Sequence, residues 1–368
     1  MNNFIIKRLV GTVSRLEVLI DYGIKFAKQN TVLGDLFYPT SDEIMKDLDL
    51  SKKICLVTGA NSGIGLEITR RLNAHKCTVL MACRNKYAAS VVAKNTCINN
   101  HLLRFYEVNL ASLRSVKNCI DDILKGEKKI DIVILNAATF GLPWILTEDK
   151  LETTFQVNYL SQFYLLMGIE KLLATDARVV FVSSESHRNI NWTFDNKICP
   201  NEELLSLPED HYTSIKAYNI SKLCGILAMH YLSYRWLHTG KEVFCAHPGS
   251  FVKTRLCHNW WPYEVLYTFM KPFSKSVNQA ACTPLYCATS PDLKTLSDQY
   301  YKDCKRCQES DLASDLQLSF RVYDITQNML QERINAIDAR GKALEEPARE
   351  LGKDTIEETL VANYTGSV

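Results

Sequence analysis

The sequence carries almost no net charge and no long apolar run. Its 43 Lys and Arg residues balance 41 Asp and Glu residues, which leaves a formal net charge of +2. Because such a chain offers no broad basic surface, we predict no nucleic-acid partner. No uninterrupted apolar stretch approaches the ~20 residues of a membrane-spanning helix, and the apolar core of a secretory signal is also missing. We therefore expect no transmembrane span.

The composition favours a folded chain in a reducing compartment. With 46% hydrophobic and 23% charged residues, the chain can bury a core and is not disordered overall. Its 13 cysteines cannot all pair, and most lie inside apolar strand-like runs, as do Cys55, Cys77, Cys83 and Cys245. Free cysteine in such runs behaves as a small hydrophobe. We therefore expect an intracellular, cytoplasmic protein.

Residues 1–45 are predicted to form an N-terminal helical extension. Its apolar residues recur near helical spacing, but charged side chains such as Lys7, Arg8 and Glu17 interrupt them. Packing on the main domain is one interpretation. Peripheral contact of residues 1–25 with a membrane, at the mitochondrion or the surface of the endoplasmic reticulum, is the other.

From residue 53, short β-branched runs alternate with longer helical patterns. Continuous apolar runs at 131–135 and 178–183 are typical of strands buried on both faces. The alternation predicts an α/β fold: a doubly wound (Rossmann), mostly parallel sheet of about seven strands flanked by helices, in a single domain over residues 46–337. Residues 338–368 are acidic, and we expect them to form a flexible tail.

A glycine-rich turn at residues 58–65 follows the first strand and opens a helix. Gly59 permits the turn, Gly63 permits close approach of the main chain to a pyrophosphate, and Gly65 permits close helix–strand packing. The N–H groups at the helix start then face the phosphates. The predicted dinucleotide contacts of this turn are Thr58, Gly59, Asn61, Ser62, Gly63, Ile64 and Gly65.

The strand after this helix ends in a basic residue, at a position where NAD enzymes usually have an acidic one. NAD enzymes place an acid near this point to hold the ribose 2′-hydroxyl, but here the strand ends at Arg84. A guanidinium pairs well with a 2′-phosphate. The sequence therefore predicts NADP, with NAD as the less favoured cofactor.

Tyr218 and Lys222 lie four residues apart on a predicted helix, so they share one face. An ammonium beside a phenol lowers the pKa of the phenol toward working pH, as a proton donor to a carbonyl requires. Ser184 stands at the end of an earlier buried strand. Together with the glycine-rich turn, these residues indicate a site for acid–base chemistry.

With these motifs, the chain resembles the short-chain dehydrogenases/reductases, in the subgroup that contains retinol dehydrogenases. The likeness extends over about residues 45–335 and is carried by the segments 136–144, 151–158, 183–188 and 218–222. It implies an enzyme that acts on CH–OH groups with NAD(P) as acceptor, by direct hydride transfer.

The resemblance also implies residue roles. Tyr218 is the acid/base, and Lys222 also holds the nicotinamide ribose. Ser184, the second serine of its pair, binds the substrate oxygen, and Asn158 bends its helix and fixes a water that links Lys222 to solvent. The further implied cofactor contacts are Asn109, Leu110, Asn136, Ala137, Ala138, Pro248, Gly249 and Thr254. Asn109 replaces the usual Asp of the family, and Ala138 replaces the usual Gly.

Residues 255–275 are strongly apolar and fall where the family has its substrate loop. A lid over a lipophilic substrate, such as a retinoid or steroid, is one interpretation; packing on the core, on a membrane or in a homodimer is the other. The pair Cys304 and Cys307 lacks a second pair nearby, so we predict no metal site. His187 is expected outside the chemistry. The alternative function is a catalytically minor, cofactor-binding regulatory or scaffold protein.

Overall fold

The strands form where the sequence has its short apolar runs. The computed structural model describes residues 39–192, 200–249, 252 and 275–339. The strands in these ranges are β1 (Ile54–Thr58), β2 (Thr78–Cys83), β3 (Leu103–Glu107), β4 (Ile130–Leu135), β5 (Leu173–Val182), β6 (Glu242–His247), β7 (Gln299–Lys302) and β8 (Lys305–Cys307). They make one sheet in the order β3-β2-β1-β4-β5-β6-β7-β8.

All neighbouring strands from β3 to β7 pair in parallel. The predicted doubly wound, mostly parallel sheet of about seven strands is therefore confirmed. An eighth strand, β8, pairs antiparallel with β7 at the edge. Its three residues include Lys305 and Arg306, so it has no apolar run from which a strand could be predicted. Charged side chains are typical of an edge strand.

Helices cover both faces of the sheet. The helices of the described ranges are α1 (Ser41–Met45), α2 (Gly63–Ala74), α3 (Lys86–Thr96), α4 (Leu113–Gly126), α5 (residues 153–168), α6 (Glu202–Leu205), α7 (Ser214–Arg235), α8 (Val277–Thr289) and α9 (residues 316–339). Buried side chains of α4, α5, α7 and α9 form one apolar cluster, and those of α1, α2, α3 and α8 form another.

Successive strand residues point into these two clusters in turn. In β1, for example, Leu56 belongs to the α7 side and Val57 to the α2 side. Both side-chain rows of a strand are therefore buried, which explains why the strands are continuous apolar runs rather than alternating ones. Cysteines fill several of these positions, and all eleven cysteines in the described part are free thiols.

The strand order places the predicted site residues along one edge. The connections change direction between β1 and β4, and doubly wound sheets bind ligands beyond the carboxyl ends of the strands at such a point. Gly59 follows β1, Asn136 follows β4, Ser184 lies just beyond β5, and Pro248 follows β6. The fold thus gathers residues that are far apart in sequence.

Some predictions fall outside the described residues. These are most of the extension 1–45, nearly all of the tail 338–368, Thr254, and the loop 255–275 apart from Lys275. The predicted domain boundaries therefore stay predictions. Among the helices of the described ranges, none combines the length and the apolar character that crossing a membrane requires.

Candidate active site

The glycine-rich turn joins the end of β1 to the start of α2. Gly59 has φ of +65° and Gly63 has φ of +52°, a region that side chains disfavour. The N–H of Gly59 donates to the carbonyl of Ala82 in β2 at 2.9 Å, which fixes the turn to the sheet. The backbone conformation therefore favours glycine at both positions.

Gly65 lets α2 pack directly on this turn. A Cβ on Gly65 would lie 2.4 Å from the carbonyl oxygen of Gly59 and 2.5 Å from Nδ2 of Asn136. These distances are far below a normal contact. The close packing of helix on strand that the sequence predicts for this glycine is present.

The surface of the turn fits a phosphate group. Asn61 and Ile64 are half-buried, and Ser62 is exposed. Ser62 is the N-cap residue of α2, but its side chain makes no capping hydrogen bond within the described part of the chain. A helix start without a side-chain cap offers its N–H groups to an anion.

Thr58 ties the ends of β1 and β4 together. Its Oγ1 accepts from the N–H groups of Asn136 (2.9 Å) and Ala137 (3.0 Å) and donates to Oε1 of Gln162 (2.6 Å). Nδ2 of Asn136 donates back to the Thr58 carbonyl at 3.0 Å. Gln162 Nε2 donates to the Ala137 carbonyl at 2.8 Å, and the half-buried Ala138 follows. This network sets the spacing of the two strand ends.

Arg84, Asn109 and Leu110 lie beyond the ends of β2 and β3. Arg84 is exposed and stands directly before Asn85, whose side chain accepts the N–H of Ala88 at 2.8 Å and so caps α3. Asn109 is exposed, whereas Leu110 is buried. The fold thus presents a guanidinium at the end of β2, while the contacts of these three residues with a cofactor stay predictions.

Tyr218 and Lys222 lie one turn apart on α7, with Nζ of Lys222 5.4 Å from the centroid of the Tyr218 ring. Lys222 is only 5% exposed, and its Nζ donates to the carbonyl of Val182 at the end of β5 (2.8 Å). Burial lowers the pKa of Lys222 to about 8. Phe140 packs edge-on against the Tyr218 ring, with centroids 5.0 Å apart.

The two serines after β5 differ in access. Ser183 is 3% exposed, and its hydroxyl donates to the Lys222 carbonyl at 3.1 Å. Ser184 is half-buried, and its Oγ accepts the N–H of Ser186 at 3.3 Å at the start of the 3₁₀ turn Glu185–Arg188. Ser184, the serine predicted to bind substrate, is therefore the more exposed of the two.

Asn158 lies in an irregular part of α5, which is wound as a π-helix over Gln156–Leu160. Its Oδ1 accepts the N–H of Thr139 (2.7 Å), and its Nδ2 donates to the Thr139 carbonyl (3.0 Å) and to Oγ of Ser221 (3.0 Å). Ser221 in turn donates to the Tyr218 carbonyl at 2.7 Å. Asn158 is thus linked to α7, and its role in binding a water stays a prediction.

Pro248 and Gly249 follow β6 and are half-buried. Gly249 has φ of +105°, and a Cβ there would lie 2.5 Å from Cδ of Lys275, whose ammonium pairs with Asp303. Glycine is needed here for its conformation and for this close approach. Contact of Pro248 and Gly249 with a nicotinamide stays a prediction.

Four residues of this site were not predicted as contributors: Thr139, Phe140, Gln162 and Ser221. Two of them carry a signal that helical spacing reveals, because Gln162 lies one turn after Asn158 and Ser221 lies one turn after Tyr218. Thr139 acts through its main chain, so its residue type gives no signal.

A glycine turn at an uncapped helix start and a Tyr–Lys pair at the end of β5, with Ser184 just beyond that strand, are features typical of an oxidoreductase with a nicotinamide cofactor. Residues 53–193 match the family model described as short chain dehydrogenase. The chain is 38% identical over 299 residues to the WW domain-containing oxidoreductase of Drosophila melanogaster, covering 80% of this chain and 72% of the relative. It belongs to the short-chain dehydrogenase/reductase family and acts on alcohol and carbonyl groups.

Two further comparisons agree with this membership. Human retinol dehydrogenase 12 is 33% identical over 291 residues, which cover 77% of this chain and 88% of the relative. The crystal structure of an uncharacterised protein from Mycobacterium paratuberculosis superimposes with a TM-score of 0.63 at 23% identity, covering 80% of this chain and 98% of the other. That likeness shows a shared fold.

The WW domains in the first relative's name have no counterpart in residues 1–50. That segment contains no tryptophan, and all five tryptophans of the chain lie between residues 144 and 261. WW domains bind proline-rich segments in grooves lined by aromatic side chains. Binding of proline motifs is therefore not transferred to this chain.

Proposed function

We propose that the chain interconverts an alcohol and a carbonyl on a lipophilic small molecule, with NADP(H) as cofactor and Tyr218, Lys222, Ser184 and Asn158 as catalytic residues. One observation carries the proposal: Lys222, one turn after Tyr218 on α7, bonds the end of β5, and the half-buried Ser184 lies just beyond that strand. These are the groups that proton transfer to a carbonyl oxygen requires.

Each side chain has a separate task in this proposal. The Ser184 hydroxyl orients the substrate oxygen by a hydrogen bond, and the Tyr218 phenol gives or takes its proton. The Lys222 ammonium favours the phenolate form; with a pKa of about 8, this ammonium is still the major form at neutral pH. Asn158 holds α7 in place through Ser221. When bound, the cofactor supplies or accepts the hydride.

The preference for NADP over NAD rests on Arg84. Its exposed guanidinium stands where the strand after the glycine-rich helix ends, and the cap made by Asn85 fixes the main chain there. A 2′-phosphate on the adenine ribose pairs with such a cation. Titration of the purified chain should give tighter binding of NADPH than of NADH, and Arg84→Ala should reduce this difference. Equal affinities in the parent chain contradict the preference.

The lipophilic substrate is supported by two observations. Residues 255–275 contain two tryptophans and three phenylalanines or methionines among other apolar residues, and one relative is named a retinol dehydrogenase. A cluster of this kind suits a retinoid or a steroid.

The test follows NADPH absorbance with retinals, ketosteroids and quinones. We expect oxidation of NADPH with at least one member of the panel. Tyr218→Phe should abolish turnover and leave NADPH binding largely intact, because the acidic hydroxyl is lost while the ring is kept. A chain that binds the cofactor but turns over nothing in the panel contradicts the proposed function. Turnover that survives Tyr218→Phe contradicts the assignment of the acid.

A further inference from the structure

The carbonyl of Ser184 is held by a buried histidine. Nδ1 of His187 lies 2.6 Å from this oxygen, and the main-chain N–H of His187 donates to it at 3.3 Å. Nε2 of His187 accepts the N–H of Ser310 at 3.2 Å. Because Nε2 accepts, the neutral ring must carry its proton on Nδ1 and donate it to Ser184.

The surroundings keep this ring fixed and neutral. His187 is fully buried, and its ring packs edge-on against Tyr300 with centroids 5.2 Å apart. Burial lowers the pKa of His187, which disfavours the charged form. In this one tautomer, Nδ1 donates a hydrogen bond and Nε2 accepts one.

We call the link from the Ser184 carbonyl through His187 to Ser310 the tether. The segment 308–310, at its Ser310 end, is anchored to α7, the helix of the Tyr–Lys pair. Glu309, next to Ser310, places Oε1 3.1 Å from Nε2 of His230 on α7, and Nδ1 of His230 lies 2.6 Å from Oδ1 of Asp298. Burial alone would lower the pKa of His230, but the two carboxylates outweigh it and raise the pKa to about 9. An imidazolium between two carboxylates therefore holds the segment 308–310 on α7.

A second bond joins the same two segments, since Arg188 donates to the carbonyl of Gln308. The 3₁₀ turn Glu185–Arg188, which follows Ser184, is thus attached to 308–310 at two points. The Ser184 Cα–Cβ bond is related to the plane of its carbonyl by the ψ angle, which is 153°, and the Ser186 N–H that donates to Oγ (3.3 Å) orients the hydroxyl. Because Ser186 lies in the same 3₁₀ turn, attaching that turn and the Ser184 carbonyl to 308–310 holds the hydroxyl in place.

We propose that His187 is a positioning residue for Ser184: it ties the Ser184 carbonyl to Ser310, and so sets the candidate substrate-binding hydroxyl in register with Tyr218 and Lys222 through the segment 308–310. The inference rests on the proposed function, because it concerns the serine of that site. It assigns a use to a histidine that does not touch the reacting atoms.

Two conservative variants separate the two ends of the tether. The amide of asparagine branches from Cγ, as Nδ1 does, so His187→Asn keeps a donor for the Ser184 carbonyl. The amide of glutamine is one bond further out, as Nε2 is, so His187→Gln keeps only an acceptor for Ser310. His211→Gln is the control, because His211 is exposed.

We expect His187→Gln to lower kcat roughly tenfold and His187→Asn to lower it much less, since one hydrogen bond and a displaced hydroxyl are at stake. The Kd for NADPH should stay unchanged in both, and kcat is measured per NADPH-binding site so that misfolded protein does not count. Equal kcat in both variants and the parent, with only a lower Tm, overturns the proposal and leaves His187 a purely structural residue.

A measurement without turnover separates this inference from the proposed function. Ring ¹⁵N NMR of the full chain, with the His187 signal assigned from its loss in His187→Asn, should show the Nδ1–H tautomer and an accepting Nε2. The Nε2–H tautomer overturns the tether, even if the enzyme is active. An Nδ1–H tautomer in a chain that reduces no carbonyl upholds the tether and overturns the proposed function instead.

Discussion

Replacing Gly65 by alanine should destabilise the chain, although the same change favours most helices. The new Cβ would lie 2.4 Å from the carbonyl oxygen of Gly59 and 2.5 Å from Nδ2 of Asn136. Overpacking against such rigid groups costs about 3 kcal/mol, the upper part of the usual range. The higher helix propensity of alanine over glycine offsets about 1 kcal/mol of this cost. We therefore expect a net loss of about 2 kcal/mol.

The control is Gly225→Ala in the interior of α7. There the nearest atom to a new Cβ is in Phe181, at 3.8 Å, an ordinary contact. The same chemical change should stabilise the chain by about 0.5–1 kcal/mol. Urea unfolding of both variants gives the free energies, and NADPH titration reports on the turn, which must move in Gly65→Ala. Equal stability and equal NADPH affinity of the two variants would refute the packing argument.

Two further predictions concern buried polar groups. Thr58→Val removes the hydroxyl and should lower stability by about 1–3 kcal/mol for each group that it leaves without a partner. Thr58→Ser keeps the hydroxyl and should not lower stability in this way. Calorimetry measures both variants, and an unchanged Tm in Thr58→Val contradicts the network. The stability supplied by His230 should be fully present below pH 6.5 and lost as pH rises through about 9, because its pKa is raised in the folded state. The difference in unfolding free energy between parent and His230→Gln should thus shrink by about 3 kcal/mol over that range, and a constant difference contradicts the ion pairs.

The sheet and its cofactor edge could be predicted because local pattern determines them. Parallel strands buried on both faces are continuous apolar runs, and the local backbone conformation of the turn favours glycine. The strand β8 has no such run, because at the edge Lys305 and Arg306 face solvent. The family membership followed from the joint presence of several short motifs.

What could not be predicted depends on contacts distant in sequence. The π-helical part of α5 occurs where Asn158 bonds to Thr139 and Ser221. No local pattern marks it, and only the family resemblance implied a bend of the helix at Asn158. His187 was expected to stand outside the chemistry, and nothing near it in sequence indicates that it bonds Ser310. Such pairs become visible only when the fold brings their segments together.

The central claim is that the Tyr218 site moves hydride and proton to a carbonyl. The most direct test supplies NADPH deuterated at either face of C4 with a lipophilic aldehyde, and measures deuterium in the alcohol by mass spectrometry. We predict one deuterium on the carbinol carbon from one of the two labelled cofactors, and no alcohol with Tyr218→Phe. Unlabelled alcohol, or label transfer that Tyr218→Phe leaves unchanged, would contradict the account.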